Sequence, residues 1–323
     1  MKFASILFSA IASVAAVVPT ARAQDAYPSR PIHLLVGATA GGGSDLVARI
    51  VATELTKKLG QAVVVENRPG AGGNIANLTT ARAPADGYTL AMAYSGLAVN
   101  PAVMQKMPFD TLRELATVSL VADVPMGLYV NAAVPARNVK ELIDTAKASP
   151  GRYALGVNAL ASVGHLATEL FKQRTGVDMP TVVYKGSSAA MTDLLSGNVS
   201  AMFDTVASAG PQVQSGRIRM LAYGGVKRLA TSPDVPTLTE AGLDNFDLRS
   251  WYGVVAPAGT PKAIVEKLST AIAEVIHMPE VVEKFEKNSL IPVGSTPDAF
   301  EQYLAAETEK WTHVAKAAKV QVQ

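Results

Sequence analysis

One stretch near the start of the chain constrains its fold more than any other. An apolar run ends in small residues and three consecutive glycines, which Ser44 and Asp45 follow. Apolar residues then recur at helical spacing, so the pattern predicts a strand over 32–36, a glycine loop and a helix over 44–59. Ser44 is the expected N-cap of that helix, and Gly60 is expected to end it.

The glycine loop is a candidate anion site. Glycines leave main-chain amides uncovered, and the first amides of a helix have no internal partner while the helix dipole favours negative charge there. A tight turn without a ligand is the alternative interpretation, because glycine-rich turns from strand to helix are common in α/β folds.

The same unit of short strand, small polar loop and helix recurs along the chain. Further strands are predicted over 62–66, 88–94, 118–121, 127–130, 153–157, 181–184, 199–203, 217–223 and 251–256. Helices are predicted around 75–79, from 138 to before 150, from 165 to 173, over 189–195, from 261 and over 297–319. This alternation indicates an α/β fold with mainly parallel sheets flanked by helices, in which ligands bind where strands end.

The first 23 residues are predicted to be a cleaved signal peptide. Lys2 precedes the almost wholly apolar segment 3–18, and the residues 21–23 fit the small-x-small cleavage rule. Cleavage removes Lys2 and Arg22 and lowers the 29 basic residues to 27, equal to the 27 acidic ones. The sequence therefore predicts a soluble exported protein of zero formal net charge.

Catalytic and cofactor motifs are missing from the sequence. There is no cysteine, the four histidines are scattered, and no basic cluster suggests nucleic acid. The glycine run does not match a dinucleotide fingerprint, because Leu46 stands where the last glycine is needed. We therefore expect no cofactor, no metal and no nucleic-acid partner. A secreted hydrolase or isomerase using Ser162 and His165 is the competing hypothesis, although such a pair on one helical turn is not a triad.

The loop ends supply mostly amides and hydroxyls, a chemistry that suits carboxylate binding without a charged wall. Several side chains keep two interpretations. Asp204 accepts either from a ligand or from nearby backbone amides, and Lys185 is either a ligand contact or a solvated charge. Tyr27, Tyr94 and Tyr184 either line a cleft or border the core, whereas Trp251 is assigned to packing.

Seven segments in chain order carry a resemblance to a known family. They are Tyr-Pro-Ser-Arg-Pro-Ile (27–32), Ala-Gly-Gly-Gly-Ser-Asp (40–45), Val-Val-Glu-Asn-Arg-Pro-Gly-Ala-Gly-Gly-Asn (64–74), Ala-Pro-Ala-Asp-Gly-Tyr-Thr-Leu (83–90), Tyr-Lys-Gly (184–186), Pro-Asp-Val-Pro-Thr-Leu (233–238) and Ala-Pro-Ala-Gly-Thr-Pro (256–261). The chain resembles the Bug/TctC family, the periplasmic solute-binding proteins of tripartite tricarboxylate transporters.

The resemblance implies a two-lobed type II periplasmic-binding-protein fold, with lobe 1 formed by 24–127 and 248–323 and lobe 2 by 128–247. It implies a non-enzymatic, monomeric receptor that closes on a small carboxylate or dicarboxylate and presents it to membrane permease subunits. A sensor with a signalling partner is the other possibility. In the family one carboxylate is held by the first glycine loop and the loop after Tyr-Lys-Gly, here 40–44 and 186–189. The expected ligand-binding residues are Thr39, Ala40, Gly41, Gly42, Gly43, Ser44, Gly72, Asn74, Tyr94, Ser95, Asn158, Ser162, His165, Tyr184, Gly186, Ser187, Ser188 and Asp204.

Overall fold

The structure is a computed structural model that describes residues 27–321. The predicted signal peptide, 1–23, lies outside the described residues. Among the helices of 27–321, none has the length and hydropathy that crossing a lipid bilayer requires.

Strands and helices alternate along the described chain. The strands are β1 (Ile32–Val36), β2 (Val63–Asn67), β3 (Thr89–Tyr94), β4 (Leu115–Asn131), β5 (Leu155–Val157), β6 (Thr181–Val183), β7 (Ala201–Thr205), β8 (Ile218–Tyr223), β9 (Arg249–Pro257) and β10 (Ile291–Pro292). The helices are α1 (Gly43–Leu59), α2 (Asn74–Ala81), α3 (Gly96–Val103), α4 (Thr111–Glu114), α5 (Val139–Ala148), α6 (Val163–Thr175), α7 (Ser187–Ser196), α8 (Val206–Gln214), α9 (Lys262–Ile276), α10 (Pro279–Lys287) and α11 (Pro297–Ala318). A 3₁₀ turn (Ala71–Gly73) precedes α2.

The strands form a mixed sheet with the order β2-β1-β3-β9-β4-β7-β5-β6, and β8 and β10 also pair with β4. The predicted parallel pairing holds for β1 with β2 and β3, and for β5 with β6 and β7. The two long strands differ, because β4 and β9 pair antiparallel with each other and with their other neighbours. The strand order is thus parallel at its two ends and antiparallel in the middle, where β9 and β4 lie.

The long strand β4 runs through both lobes of the fold. Its first part, Leu115–Pro125, pairs with β9, whereas Met126–Val130 pairs with β7. β4 therefore changes partner between Pro125 and Met126. On one side of this point lie β1, β2, β3 and β10, and on the other side lie β5 to β8. The architecture is two-lobed, and β4 continues across this point, whereas β9 pairs only with β3 and with the first part of β4.

Most element boundaries follow from local sequence. Gly60 ends α1 in the left-handed conformation, and Asn138 caps α5 by accepting from the amide of Glu141 at 2.8 Å. The expectation that Ser44 caps α1 is wrong, because the N-cap is Gly42 and Ser44 is buried within the helix. The two strands predicted over 118–130 are one continuous strand.

Four helices were not predicted from the sequence: α3, α4, α8 and α10. Pro101 lies inside α3 and Pro211 inside α8, so both segments carry a residue that normally argues against a helix interior. Tertiary packing overrides this local signal in α3, because its apolar side chains are buried against α11. That packing fixes the position at which α3 begins, beside the end of β3.

Candidate functional site

Three strands deliver their carboxyl ends to one place. Ser95 follows β3 and begins α3, Asn158 follows β5, and Thr205 ends β7 and caps α8. All three residues line a cavity of about 570 Å³, here called the front cavity. This is the edge at which open α/β sheets bind ligands.

Residues on both sides of the point where β4 changes its pairing partner from β9 to β7 contribute to the front cavity. The wall contains no Asp, Glu, Lys, Arg or His from the described residues. Its lining residues are Ala71, Gly72, Tyr94, Ser95, Gly96, Val99, Asn100, Val103, Met104, Met126, Asn158, Ala159, Leu160, Ala161, Ser162, Val163, Gly164, Thr205 and Ser250. Recognition in this cavity must therefore rely on dipoles, hydroxyls and apolar contact.

Uncovered amides lie at the start of two helices in this wall. The N–H groups of Val163 and Gly164 in α6 have no acceptor within residues 27–321. The N–H groups of Gly96 and Leu97 at the start of α3 also have no acceptor among the residues that the structure describes. Free amides and the positive end of the helix dipole make each helix start a favourable place for an anionic oxygen.

The loop between β5 and α6 is held by its own hydrogen bonds. Ser162 Oγ donates within the loop, to Asn158 Oδ1 at 2.8 Å or to Ala159 O at 2.9 Å. Ser162 also caps α6, since its Oγ accepts from the amide of His165 at 3.1 Å. The loop thus presents the first turn of α6 in a defined orientation.

Hydroxyl and amide side chains occupy the opposite side of the cavity. Ser95 Oγ and Ser250 Oγ lie 2.8 Å apart and share one hydrogen bond, which leaves further hydrogen-bonding capacity on both hydroxyls. Asn100 Nδ2 donates to Gly72 O at 3.0 Å and to Asn74 Oδ1 at 2.9 Å. Asn74 is buried behind the wall and orients Asn100.

Five predicted ligand-binding residues line the front cavity: Gly72, Tyr94, Ser95, Asn158 and Ser162. Thirteen do not line it. These are Thr39, Ala40, Gly41, Gly42, Gly43, Ser44, Asn74, His165, Tyr184, Gly186, Ser187, Ser188 and Asp204. Most of the thirteen lie in the two loops to which the sequence assigned the first carboxylate.

The first glycine loop already holds an internal anion. The amide of Gly41 donates to Asp45 Oδ2 at 2.9 Å, and Asn67 Nδ2 donates to Asp45 Oδ1 at 2.8 Å. The hydrogen bond from Arg49, followed by those from Gly41 and Asn67, lowers the pKa of Asp45 to about 2. Asp45 therefore stays ionised and uses one of the amides expected to bind the ligand.

Other amides of this loop are free, and the loop borders the cavity wall. The N–H groups of Gly43 and Ser44 have no acceptor within the described part of the chain. Gly43 approaches the Tyr252 hydroxyl so closely that a Cβ would collide with it. Tyr252 is the cross-strand partner of Tyr94, which lines the front cavity. One tyrosine pair thus separates the loop from the cavity.

The second loop expected to hold the carboxylate, 186–189, is hydrogen-bonded to Asn158 in the cavity wall. The amide of Gly186 donates to Asn158 O at 2.7 Å, and Asn158 Nδ2 donates to Ser187 Oγ at 3.2 Å. Gly186 has a φ of +116°, which favours glycine at this position. Ser188 is exposed on the first turn of α7.

Ser162 and His165 do not form a catalytic pair. Nδ1 of His165 accepts from the amide of Ala161 at 3.0 Å, so its proton is on Nε2 when the ring is neutral. Burial lowers the pKa of His165 and favours that neutral form. Ser162 Oγ contacts the amide of His165 rather than the imidazole. The imidazole therefore supports the loop and activates no nucleophile.

Asp204 is a buried internal acceptor. Its Oδ1 accepts from the amide of Thr205 at 2.8 Å and from Ser187 Oγ at 3.3 Å, while Oδ2 accepts from Ser208 Oγ at 3.0 Å. Burial raises the pKa of this carboxyl, against the lowering effect of the three donors. The amide of Thr205 is a backbone partner of Asp204, as one of its two interpretations expects, and acceptance from a ligand stays a prediction.

The remaining candidates lie away from the cavity. Tyr27 donates to Gly87 O at 2.7 Å, and Tyr184 donates to Asp193 Oδ2 at 2.7 Å. Lys185 is exposed and forms no ion pair within residues 27–321. Trp251 is fully buried, and this confirms its assignment to packing.

Sequence reasoning missed the residues that α3 and β9 bring to the cavity. Asn100 lies in α3 and Met104 directly follows it, and Pro101 concealed the helical character of this segment. Ser250 was missed because the strand was predicted to begin at Trp251, two residues after its actual start at Arg249. The available signal for α3 was the pair Ser95-Gly96 directly after the strand predicted over 88–94, since small polar loops after strands lead into helices elsewhere in the chain.

A two-lobed fold with a charge-free cavity between its halves defines a solute-binding receptor. The chain belongs to the tripartite tricarboxylate transporter family of receptors, whose family model matches residues 47–320. This is a family of transporter receptors that bind solutes in the periplasm, and it is not an enzyme family.

Named relatives match nearly the whole chain. Protein BugT of Bordetella pertussis is 40% identical over 312 residues, which are 96% of this chain and 94% of BugT. The structure of R. palustris Rpa4515 with adipate is 37% identical, has a TM-score of 0.78, and matches over 91% of this chain and 99% of that one. The structure of MatC from Rhodopseudomonas palustris with bound malate is 28% identical and has a TM-score of 0.72. The match covers 89% of this chain and 99% of MatC.

Proposed function

We propose that this protein is an exported receptor that captures a small carboxylate or dicarboxylate in the front cavity. The observation that carries the proposal is the pair of helix starts, α3 and α6, whose free amides border a cavity to which residues 27–321 contribute no charged side chain. Such a wall stabilises carboxylate oxygens through amides and hydroxyls. The ligands of two relatives, adipate and malate, support the same chemical class.

Capture is proposed to involve closure of two lobes, formed by 24–127 with 248–323 and by 128–247. The exchange of β4 between Pro125 and Met126 supports this division. A ligand that contacts α3 in one lobe and α6 in the other makes all of its contacts only in the closed form, so binding shifts the population towards closure. Permease subunits of a tripartite tricarboxylate transporter are the proposed readers of the closed form.

Residues 1–23 are proposed to direct export to the periplasm of a Gram-negative cell and to be removed there. The first glycine loop and the Gly186–Ser188 loop are proposed as supports or secondary contacts. The free amides of Gly43 and Ser44 favour a contact that requires the Tyr94–Tyr252 pair to move.

A calorimetric screen with a blocking variant tests the proposal. Mono-, di- and tricarboxylates are titrated into the mature protein, and a true ligand at several hundred times its Kd should stabilise it by about 3–4 kcal/mol. Ala159→Trp places an indole at an exposed lining position and should weaken binding at least about tenfold. Ala132→Trp, at an exposed position outside the cavity lining, should bind like the wild type.

Two results would count against the receptor assignment. One is the absence of binding by every carboxylate in the panel, and the other is equal affinity of the Ala159→Trp and Ala132→Trp variants. Chemical turnover of a bound carboxylate would favour the hydrolase or isomerase hypothesis instead.

A further inference from the structure

A leucine stands exposed at the mouth of the front cavity. Leu160 leaves 52% of its surface accessible, although most large apolar residues in the described chain are buried. A scattered exposed leucine is unremarkable on a protein surface. Leu160 differs because it lies among the residues that line the cavity, on the loop that leads into α6.

The loop that carries Leu160 is strained and fixed. Ala161 has a φ of +55°, a left-handed conformation that costs a residue with a Cβ free energy. His165 Nδ1 holds this conformation by accepting from the Ala161 amide, and Ser162 ties the loop back to Asn158 and Ala159. The buried histidine thus has a specific task, because its acceptor atom fixes the residue next to Leu160.

Met104 presents a second apolar side chain to the same cavity from the other lobe. It follows α3, it is half-buried, and its Sδ accepts from Asn74 Nδ2 at 3.0 Å. Val99, Val103 and Met126 line the cavity around it. An apolar region from the proposed lobe 1 therefore faces a cavity whose lobe 2 loop exposes Leu160.

We propose that Leu160 and Met104 determine ligand specificity by covering the hydrocarbon part of the ligand from both lobes. This inference rests on the proposed function and adds the substrate class, a carboxylate with an unsubstituted carbon chain. The helix starts hold the carboxylate oxygens, which every carboxylate shares. Hydroxyl groups on the carbon chain are disfavoured, because contact with Leu160 and Met104 removes their water and offers no hydrogen-bonding partner.

Two pairs of dicarboxylates test this preference by calorimetry. Adipate and galactarate share a six-carbon chain and two carboxylates and differ by four hydroxyls, and succinate and tartrate form the shorter pair. The wild type should bind the unsubstituted member of each pair at least about tenfold more tightly. Leu160→Gln, which keeps the length of the side chain, should reduce that ratio, and Leu160→Met should retain it.

Leu112→Gln is the matched control, because Leu112 is a large exposed apolar residue outside the front cavity. It should leave both ratios at the wild-type value. The midpoint of thermal unfolding is recorded for each variant, so a misfolded protein is not mistaken for an altered preference.

The outcomes separate this inference from the proposed function. If dicarboxylates bind but the wild type does not discriminate against hydroxylated chains, the inference is wrong and the receptor assignment stands. The inference is equally wrong if Leu160→Gln and Leu112→Gln give the same ratios. If no carboxylate binds at all, the proposed function itself fails.

Discussion

Replacing Asn158 by Asp adds a negative charge to the front cavity with almost no change in side-chain shape. Asn158 is half-buried, and its two polar atoms contact the hydroxyls of Ser162 at 2.8 Å and Ser187 at 3.2 Å. Ser162 can keep donating to an aspartate at this position, and Ser187 can donate to it by giving up its 3.3 Å hydrogen bond to Asp204. The perturbation is therefore mainly electrostatic.

The size of the effect follows from Coulomb's law. A ligand carboxylate at the first amides of α6 would lie about 6 Å from residue 158, in a half-buried setting with an effective dielectric constant of about 20–40. Repulsion between the two charges is then about 1.4–2.8 kcal/mol, which weakens binding by about 10- to 100-fold. Since the Debye length falls from about 30 Å to about 10 Å between 0.01 and 0.1 M salt, the penalty should fall by about a third over that range.

Calorimetry with adipate at the two salt concentrations measures this penalty. Gln302→Glu adds the same charge at an exposed position of α11 outside the cavity and should leave the Kd within about twofold of the wild type. Wild-type affinity in Asn158→Asp would refute the placement of a carboxylate at the start of α6.

Three further predictions concern the loops. Gly42→Phe should weaken carboxylate binding without abolishing it, because the first glycine loop is proposed as a support or secondary contact. The variant should retain the fold, because Gly42 has a φ of −76° and the nearest atom to an added Cβ is Thr39 O at 3.3 Å; calorimetry and circular dichroism check this. His165→Leu should lower the free energy of unfolding in urea by about 1–3 kcal/mol, since the Ala161 amide loses its acceptor. Ionised Asp45 stabilises the fold, because its pKa is lower in the folded protein than in the unfolded chain. This contribution is complete above about pH 4 and is lost as the pH falls towards about 2. The stability of Asp45→Asn should therefore fall less than that of the wild type over this range in acid unfolding.

The sequence predicts strand and helix positions well where local signals agree with tertiary context. β1 begins and ends at the predicted residues, and the glycine after α1 and the asparagine before α5 mark real helix boundaries. The long strand β4 shows the limit of this approach. No local signal predicts that the strand over 115–131 pairs with different partners in its two parts. This pairing depends on where β9 returns to the sheet after a connection of 25 residues, 224–248.

The lining of the front cavity was predictable in chemistry more than in the identity of its residues. An uncharged wall of amides and hydroxyls is what the loop ends suggest, and Ser95, Asn158 and Ser162 contribute to it. The amide of Gly41 is occupied by Asp45, a local contact that the sequence shows only as an acidic residue in the first helical turn. Met104 and Ser250 are placed by packing and register, which a single sequence does not encode in any short motif.

The two helix starts also explain why a ligand would be needed for closure. α3 and α6 both present the positive end of a helix dipole to the front cavity, so bringing them together without an anion opposes two partial charges of the same sign. A carboxylate placed between them reverses the sign of both interactions. We therefore expect adipate to lower the radius of gyration measured by X-ray scattering, whereas the uncharged adipamide, of the same length, should leave it unchanged. Equal compaction by both compounds would show that closure depends on contact with the carbon chain rather than on charge.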